Sequence, residues 1–147
     1  MKWIGLLALA FAAPLLFAGC RGAGGDGPRP TAEPGDASSR TETAYHKISA
    51  EDAREMIDAG GVTIVDVRRE DEYTQEHIPG AVLVPLGTIG DQPPEALPEK
   101  DAVLLVYCRS GRRSKAASDK LVALGYENVY DFGGIIDWPY DTVAGED

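Results

Sequence analysis

Two cysteines stand in opposite surroundings, and one of them is placed to do chemistry. Cys108 closes the most apolar run outside the first twenty residues, Ala102-Val103-Leu104-Leu105-Val106-Tyr107. It opens the stretch Cys108-Arg109-Ser110-Gly111-Arg112-Arg113-Ser114-Lys115. Four cations, Arg109, Arg112, Arg113 and Lys115, follow it with no acid among them, in a chain of formal net charge −10. A strand that runs into a turn and then a helix points the turn's backbone N–H groups at the strand end, making a nest for negative charge. That nest and the guanidinium groups favour thiolate over thiol and lower the sulfur's pKa. The chemistry expected is nucleophilic attack by Cys108 on an anionic substrate, through a covalent intermediate. A buried cysteine beside a solvated basic turn is the plainer alternative. The density of uninterrupted positive charge argues against it.

The flanking elements must place that sulfur. Ser49 before Ala50-Glu51-Asp52 reads as an N-cap with acids in the first turn, and Ala53, Met56 and Ile57 form an apolar stripe ended by Gly60-Gly61. The spacing predicts a helix over 50–59. Val62-Thr63-Ile64-Val65-Asp66-Val67 reads as a buried strand, and residues 68–77 as a helical turn or two ending near Pro79-Gly80. Ala81-Val82-Leu83-Val84 is a further short strand. A proline-rich connection over 85–100, with room for a brief helix, leads to the central strand over 102–107. A helix over about 112–124 follows, with Ala117, Leu121 and Leu124 inward. Asn128-Val129-Tyr130 is the last strand, and Gly133-Gly134 leads to a terminal helical piece carrying Trp138. Strands separated by helices need crossover connections, so the fold class is α/β, a mainly parallel central sheet with helices on both faces. Ligands in such folds bind beyond the carboxyl ends of the strands, which is where Cys108 lies.

Cys108-Arg109-Ser110-Gly111-Arg112-Arg113-Ser114 at the end of an apolar strand resembles the active-site loop of the rhodanese (thiosulfate sulfurtransferase) family. Val65-Asp66-Val67-Arg68, Glu72-Tyr73 and His77-Ile78-Pro79-Gly80-Ala81 resemble that family's first signature. Glu76 stands where a Gly commonly precedes the His. Asp131-Phe132-Gly133-Gly134-Ile135-Ile136-Asp137-Trp138 resembles its closing element. The likeness covers about 45–143 and is nearest to single-domain, exported members. It implies a rhodanese-like fold and transfer of sulfane sulfur from thiosulfate or a similar small anionic donor to a thiophilic acceptor, such as cyanide or a thiol. Cys108 would carry the sulfur as a persulfide. Arg109, Ser110, Gly111, Arg112, Arg113 and Ser114 would bind the donor and stabilise the persulfide, and which Arg holds the donor stays open. Asp66 would lie near the loop, or else cap or hold a turn. Arg68 and Glu72 read as a structural ion pair, His77 as fixing a turn, and Trp138 as a core anchor. Phosphatases of related fold need an Arg at position 114, which is Ser114, so sulfur transfer is favoured over phosphoryl transfer.

Composition narrows the alternatives. Two cysteines and two histidines, His46 and His77, leave no disulfide scaffold and no ligand set for a metal, and no cofactor is expected. The acidic balance argues against a nucleic-acid partner. Residues 1–19 combine Lys2 with an apolar run too short to span a bilayer and read as a signal peptide. Phe17-Ala18-Gly19-Cys20 resembles the lipobox of bacterial lipoproteins, which implies lipidation of Cys20. Residues 20–44, rich in Gly and Pro, read as a tether, and 45–147 as the folded domain. The expectation is an exported monomer, anchored to the membrane only through its N-terminal lipid and facing the periplasm or cell exterior. A non-catalytic module of the same fold and a thiol-redox protein are the competing classes. The presence of Cys108 argues against the first. The second would need a partner thiol once Cys20 is lipidated.

Overall fold

A computed structural model describes residues 44–145. The expected signal peptide, Cys20 and nearly all of the tether lie outside the described residues. The chain runs β1 (Tyr45–Lys47), α1 (Ala50–Ala59), β2 (Val62–Asp66), α2 (Glu70–Gln75), β3 (Val82–Leu83), β4 (Val103–Cys108), α3 (Arg112–Ala123) and β5 (Asn128–Gly134), with 3₁₀ turns at Leu86–Thr88 and Ile135–Asp137. The strands form one five-stranded sheet in the order β1-β5-β4-β2-β3, and every pairing is parallel. The expected α/β architecture is therefore present, with β4 at its centre.

Local chemistry explains each boundary. Asp52 N–H donates to the Ser49 hydroxyl and Ser49 N–H to the Asp52 carboxylate, both at 3.1 Å, a capping box that contributes about 1 kcal/mol to α1. Pleating then divides β4 between the two faces of the sheet. Leu104, Val106 and Cys108 join the cluster beneath α3 with Ala117 and Leu121, whereas Leu105 and Tyr107 join Ala53, Tyr73, Phe132 and Trp138 on the other face. Cys108 thus faces the side of the sheet that α3 covers. Leu121 is fully buried there, and truncating it to Ala would cost about 2–5 kcal/mol.

Three expectations change. Tyr45–Lys47 is a strand, held by parallel pairing with Val129, Tyr130 and Asp131. The last strand does not stop at Tyr130 but runs through Gly134, with a register shift opposite Val106 and Tyr107 that leaves Phe132 as an extra residue. Phe132 lies on the face opposite Val129, and after the bulge the pairing resumes to the end of both strands, with Gly134 opposite Cys108. The terminal helical piece shortens to the 3₁₀ turn Ile135–Asp137, with Trp138 buried just after it.

Candidate active site

Helix α3 begins at the carboxyl edge of the sheet with no side chain capping it. Its N-cap is Gly111, in the left-handed conformation at φ +92°, which a residue with a side chain rarely adopts. The place of a cap is taken by the Cys108 sulfur, which receives the Gly111 N–H at 3.2 Å. Cys108 is only 1% exposed. Burial by itself would push its thiol up, but the N–H groups of Ser114, Ser110, Gly111 and Arg113 converge on the sulfur and more than offset that. The net shift is below the ordinary thiol value. The loop is therefore built to hold negative charge on sulfur.

The cations of the loop divide by their partners. Arg113 makes two bonds to the Glu72 carboxylate at 2.6 and 2.8 Å and also interacts with the Cys108 sulfur. Glu72 is held well below the usual carboxylate range, at about 2, chiefly by that guanidinium. Lys115 pairs with Asp119 one helical turn on. Arg109 and Arg112 have no ion-pair partner among the described residues, and Arg109 lines a cavity. That cavity, about 360 Å³, is bounded by Arg68, Glu72, Gln75, Glu76, Arg109, Ile135 and Ile136.

The expected pairing of Arg68 with Glu72 is not what forms. Arg68 precedes α2 and turns back to Asp66, bonding its carboxylate at 2.6–3.0 Å, while both side chains are almost completely buried. Asp66 also accepts the Arg68 backbone N–H at 2.9 Å. Of the two roles left open for Asp66, it holds the turn after β2. It is tied into that turn and not to the loop. His77 is buried, with Nδ1 bonded to the Tyr73 carbonyl at 2.9 Å, and its backbone pairs with Val143.

Ser110 and Arg112 are exposed, and Gly111 is half-buried in the turn. Ser114 is different from the expected donor ligand. Its hydroxyl is buried and donates toward Asp131 at 2.7 Å, with the Gly111 carbonyl at 2.9 Å, so only its backbone N–H faces the sulfur. Asp131 and Gly134 were not anticipated as parts of the site. Asp131 is 1% exposed and accepts from Ser114, from Gly133 N–H at 2.9 Å and from the Tyr45 hydroxyl at 3.2 Å. Burial and the Asp131 carboxylate push Tyr45 up to about 12. Gly134 passes directly against the backbone of Arg109 and Ser110. An acid inside the strand pattern Val129-Tyr130-Asp131-Phe132 was the available sign of the first. The second is visible only in three dimensions. A second cavity, about 490 Å³, lies on the β1 side of the loop between Tyr45, Lys47, Ser110, Lys115 and the Gly133-Gly134 backbone.

Comparison with known proteins agrees with this geometry. Thiosulfate sulfurtransferase PspE of Escherichia coli is 37% identical over 81 residues, 55% of this chain and 78% of that one. Thiosulfate sulfurtransferase GlpE of Coxiella burnetii is 33% identical over 95 residues, 64% of this chain and 87% of that one. The crystal structure of a rhodanese-related protein from Thermoplasma volcanium is 31% identical, with a TM-score of 0.59 over 67% of this chain and 98% of that one. The rhodanese-like domain matches residues 49–139, and the chain belongs to that family.

Proposed function

We propose that this protein is a sulfurtransferase that carries sulfane sulfur as a persulfide on Cys108, and that it works outside the cytoplasm on a lipid anchor at Cys20. The observation that carries the catalytic reading is the set of loop N–H groups converging on the Cys108 sulfur at the uncapped start of α3. The names of the relatives support the same activity.

The reaction follows from the site. The Cys108 thiolate attacks the outer sulfur of thiosulfate, a new S–S bond forms, and the old S–S bond breaks with its electron pair leaving on sulfite. The persulfide keeps one negative charge, which sits in the same cradle of amides, so the stabilising dipoles need no rearrangement. A thiophilic acceptor then takes the outer sulfur and returns the thiolate. Arg113, committed to Glu72 and to the sulfur, favours the anionic forms of Cys108. Arg109, lining the cavity without an ion-pair partner, is the residue that holds the donor's anionic end.

The test is direct. Incubation with thiosulfate should add one sulfur atom to the intact mass, and cyanide should remove it as thiocyanate. Cys108→Ser should abolish both. Thiocyanate formation by the Ser variant at the wild-type rate would end the proposal. For the anchor, Cys20→Ser should release the expressed protein from the membrane fraction. Continued membrane association would exclude the lipid.

A further inference from the structure

Accepting the reading of Cys108 as the sulfur carrier, its loop is tied on the β1 side to a buried carboxylate. Asp131 is 1% exposed, and its Oδ1 accepts the Ser114 hydroxyl at 2.7 Å and the Gly133 N–H at 2.9 Å. Ser114 stands in the first turn of α3, whose N–H groups reach the sulfur. A carboxylate taken out of water needs a countercharge as well as hydrogen bonds. Strand β1 provides both. In a parallel pair, residues in register share a face, and so do residues two apart on one strand. Lys47 is in register with Asp131, and Tyr45 with Val129, which lies in the core cluster beneath α3. Tyr45 and Lys47 therefore point to the α3 side, while His46 stacks on Tyr130 on the other face. The Lys47 ammonium lies 3.3 Å from Asp131 Oδ1, and the Tyr45 hydroxyl donates to Oδ2 at 3.2 Å.

The neighbouring charges are engaged elsewhere. Lys115 lies over the Tyr45 ring and pairs with Asp119, and Arg113 pairs with Glu72. Asp137 lines the cavity of about 490 Å³ that opens between β1 and the loop residues Ser110 and Gly111. Among the described residues, Lys47 is the cation that pairs with Asp131. We propose that Lys47 and Tyr45 are positioning residues for sulfur transfer: from β1 they hold Asp131 as a carboxylate bonded to Ser114, and through Ser114 they keep the α3 amides on the Cys108 sulfur. Loss of the Lys47 charge acts in one direction by either of two routes. If Asp131 stays ionised, an uncompensated negative charge stands beside the loop and opposes the thiolate. If it takes up a proton, the bonds from Ser114 and Gly133 lose their charge assistance, and the first turn of α3 loosens.

The experiment follows Cys108 alkylation by iodoacetamide against pH, with thiocyanate formation and urea midpoints measured on the same proteins. Lys47→Met should raise the alkylation midpoint by about one pH unit, since one charge-assisted hydrogen bond at the sulfur is worth about that much. Below the wild-type midpoint, kcat/KM for thiosulfate should fall about tenfold, and it should recover above the raised midpoint. Lys47→Arg, which keeps the charge, should stay near the wild type. Tyr45→Phe removes one oxygen and should shift the midpoint the same way by less; it carries the test if Lys47→Met fails to fold. In an Asp131→Asn background, Lys47→Met should add no further shift. An unchanged midpoint, with activity lowered equally at every pH, would make β1 a structural strand only and overturn the proposal. So would an equal shift in Lys47→Arg, or a full shift from Lys47→Met in the Asn background. Wild-type Cys108 that takes up no sulfur from thiosulfate, yet shifts with Lys47→Met, would end the sulfurtransferase reading alone.

Discussion

Gly134→Ala tests whether loop position, rather than loop composition, makes the sulfur reactive. The added methyl would lie 2.3 Å from the Arg109 carbonyl oxygen, 2.6 Å from the Ser110 Cα and 2.7 Å from the Arg109 carbonyl carbon. All three are backbone atoms of the loop, so no flexible side chain can swing away. Restoring an ordinary contact of at least 3.4 Å requires a displacement of about 1.1 Å at the Arg109 oxygen, the difference between 3.4 and 2.3. A shift of that size, carried to Gly111, takes its 3.2 Å bond to the Cys108 sulfur out of hydrogen-bond range. One charge-assisted bond is worth about 1.5–3 kcal/mol. Misplacing a reacting group by ~1 Å can cost about a hundredfold. Thiocyanate formation should therefore fall about 10- to 100-fold, and the iodoacetamide reaction of Cys108 should need higher pH. Overpacking should also remove about 1–3 kcal/mol of stability. Gly90→Ala is the control, because nothing lies within 4 Å of a methyl there. Full activity and an unchanged alkylation profile in Gly134→Ala would refute the claim that β5 positions the loop.

Other consequences follow from the charge arrangement. Arg109→Ala should raise KM for thiosulfate about tenfold with kcat changed only a few-fold, whereas Arg113→Ala should lower kcat and shift Cys108 alkylation to higher pH; steady-state kinetics separate the two. Cys108 alkylation in the wild type should rise with pH and level off below the range of an ordinary thiol, because its pKa is lowered. Glu72 is an acid with a depressed folded pKa, so its contribution to stability is full above about 4.5 and is lost as pH falls toward 2. The shift corresponds to about 3 kcal/mol at most, and partial exposure of the pair reduces it to about 1–2 kcal/mol. Urea midpoints at pH 6 and pH 3 should lie closer together in Glu72→Gln than in the wild type; an unchanged gap would mean that the pair is silent.

What could be read from the chain before its fold was known depended on how far apart the partners lie. Ser49 caps a helix through a residue three positions on, and β4 announces itself by six consecutive apolar residues running into a basic turn. Those signals are local, and the helix, the central strand and Cys108 at its end follow from them. Arg68 and Glu72 show why local spacing can mislead. Four residues apart, they would face each other on a helix. But α2 begins only at Glu70, so Arg68 lies outside it and returns to Asp66, which leaves Glu72 to meet Arg113 from 41 residues away. The division of labour among the arginines rests on that exchange, and no period in the sequence carries it.

The Gly133-Gly134 pair makes the same point from the other side. Read along the chain, the strand stops at Tyr130 and two glycines lead into a helical piece. In the fold they continue the strand, because β5 must pass beneath Arg109 and Ser110 with no Cβ between the backbones. Asp131, the last residue in register before the bulge, accepts from Ser114, which fixes the first turn of α3. That turn in turn supplies the N–H groups that hold charge on Cys108. The reactive sulfur is thus an outcome of three non-adjacent segments. The basic loop alone attracts anions, but β5 holds it where its amides reach the sulfur. An isolated peptide spanning 102–124 should accordingly show an ordinary cysteine, with an alkylation profile near that of free thiol. A depressed pKa in that peptide would mean that loop composition suffices and that β5 is dispensable.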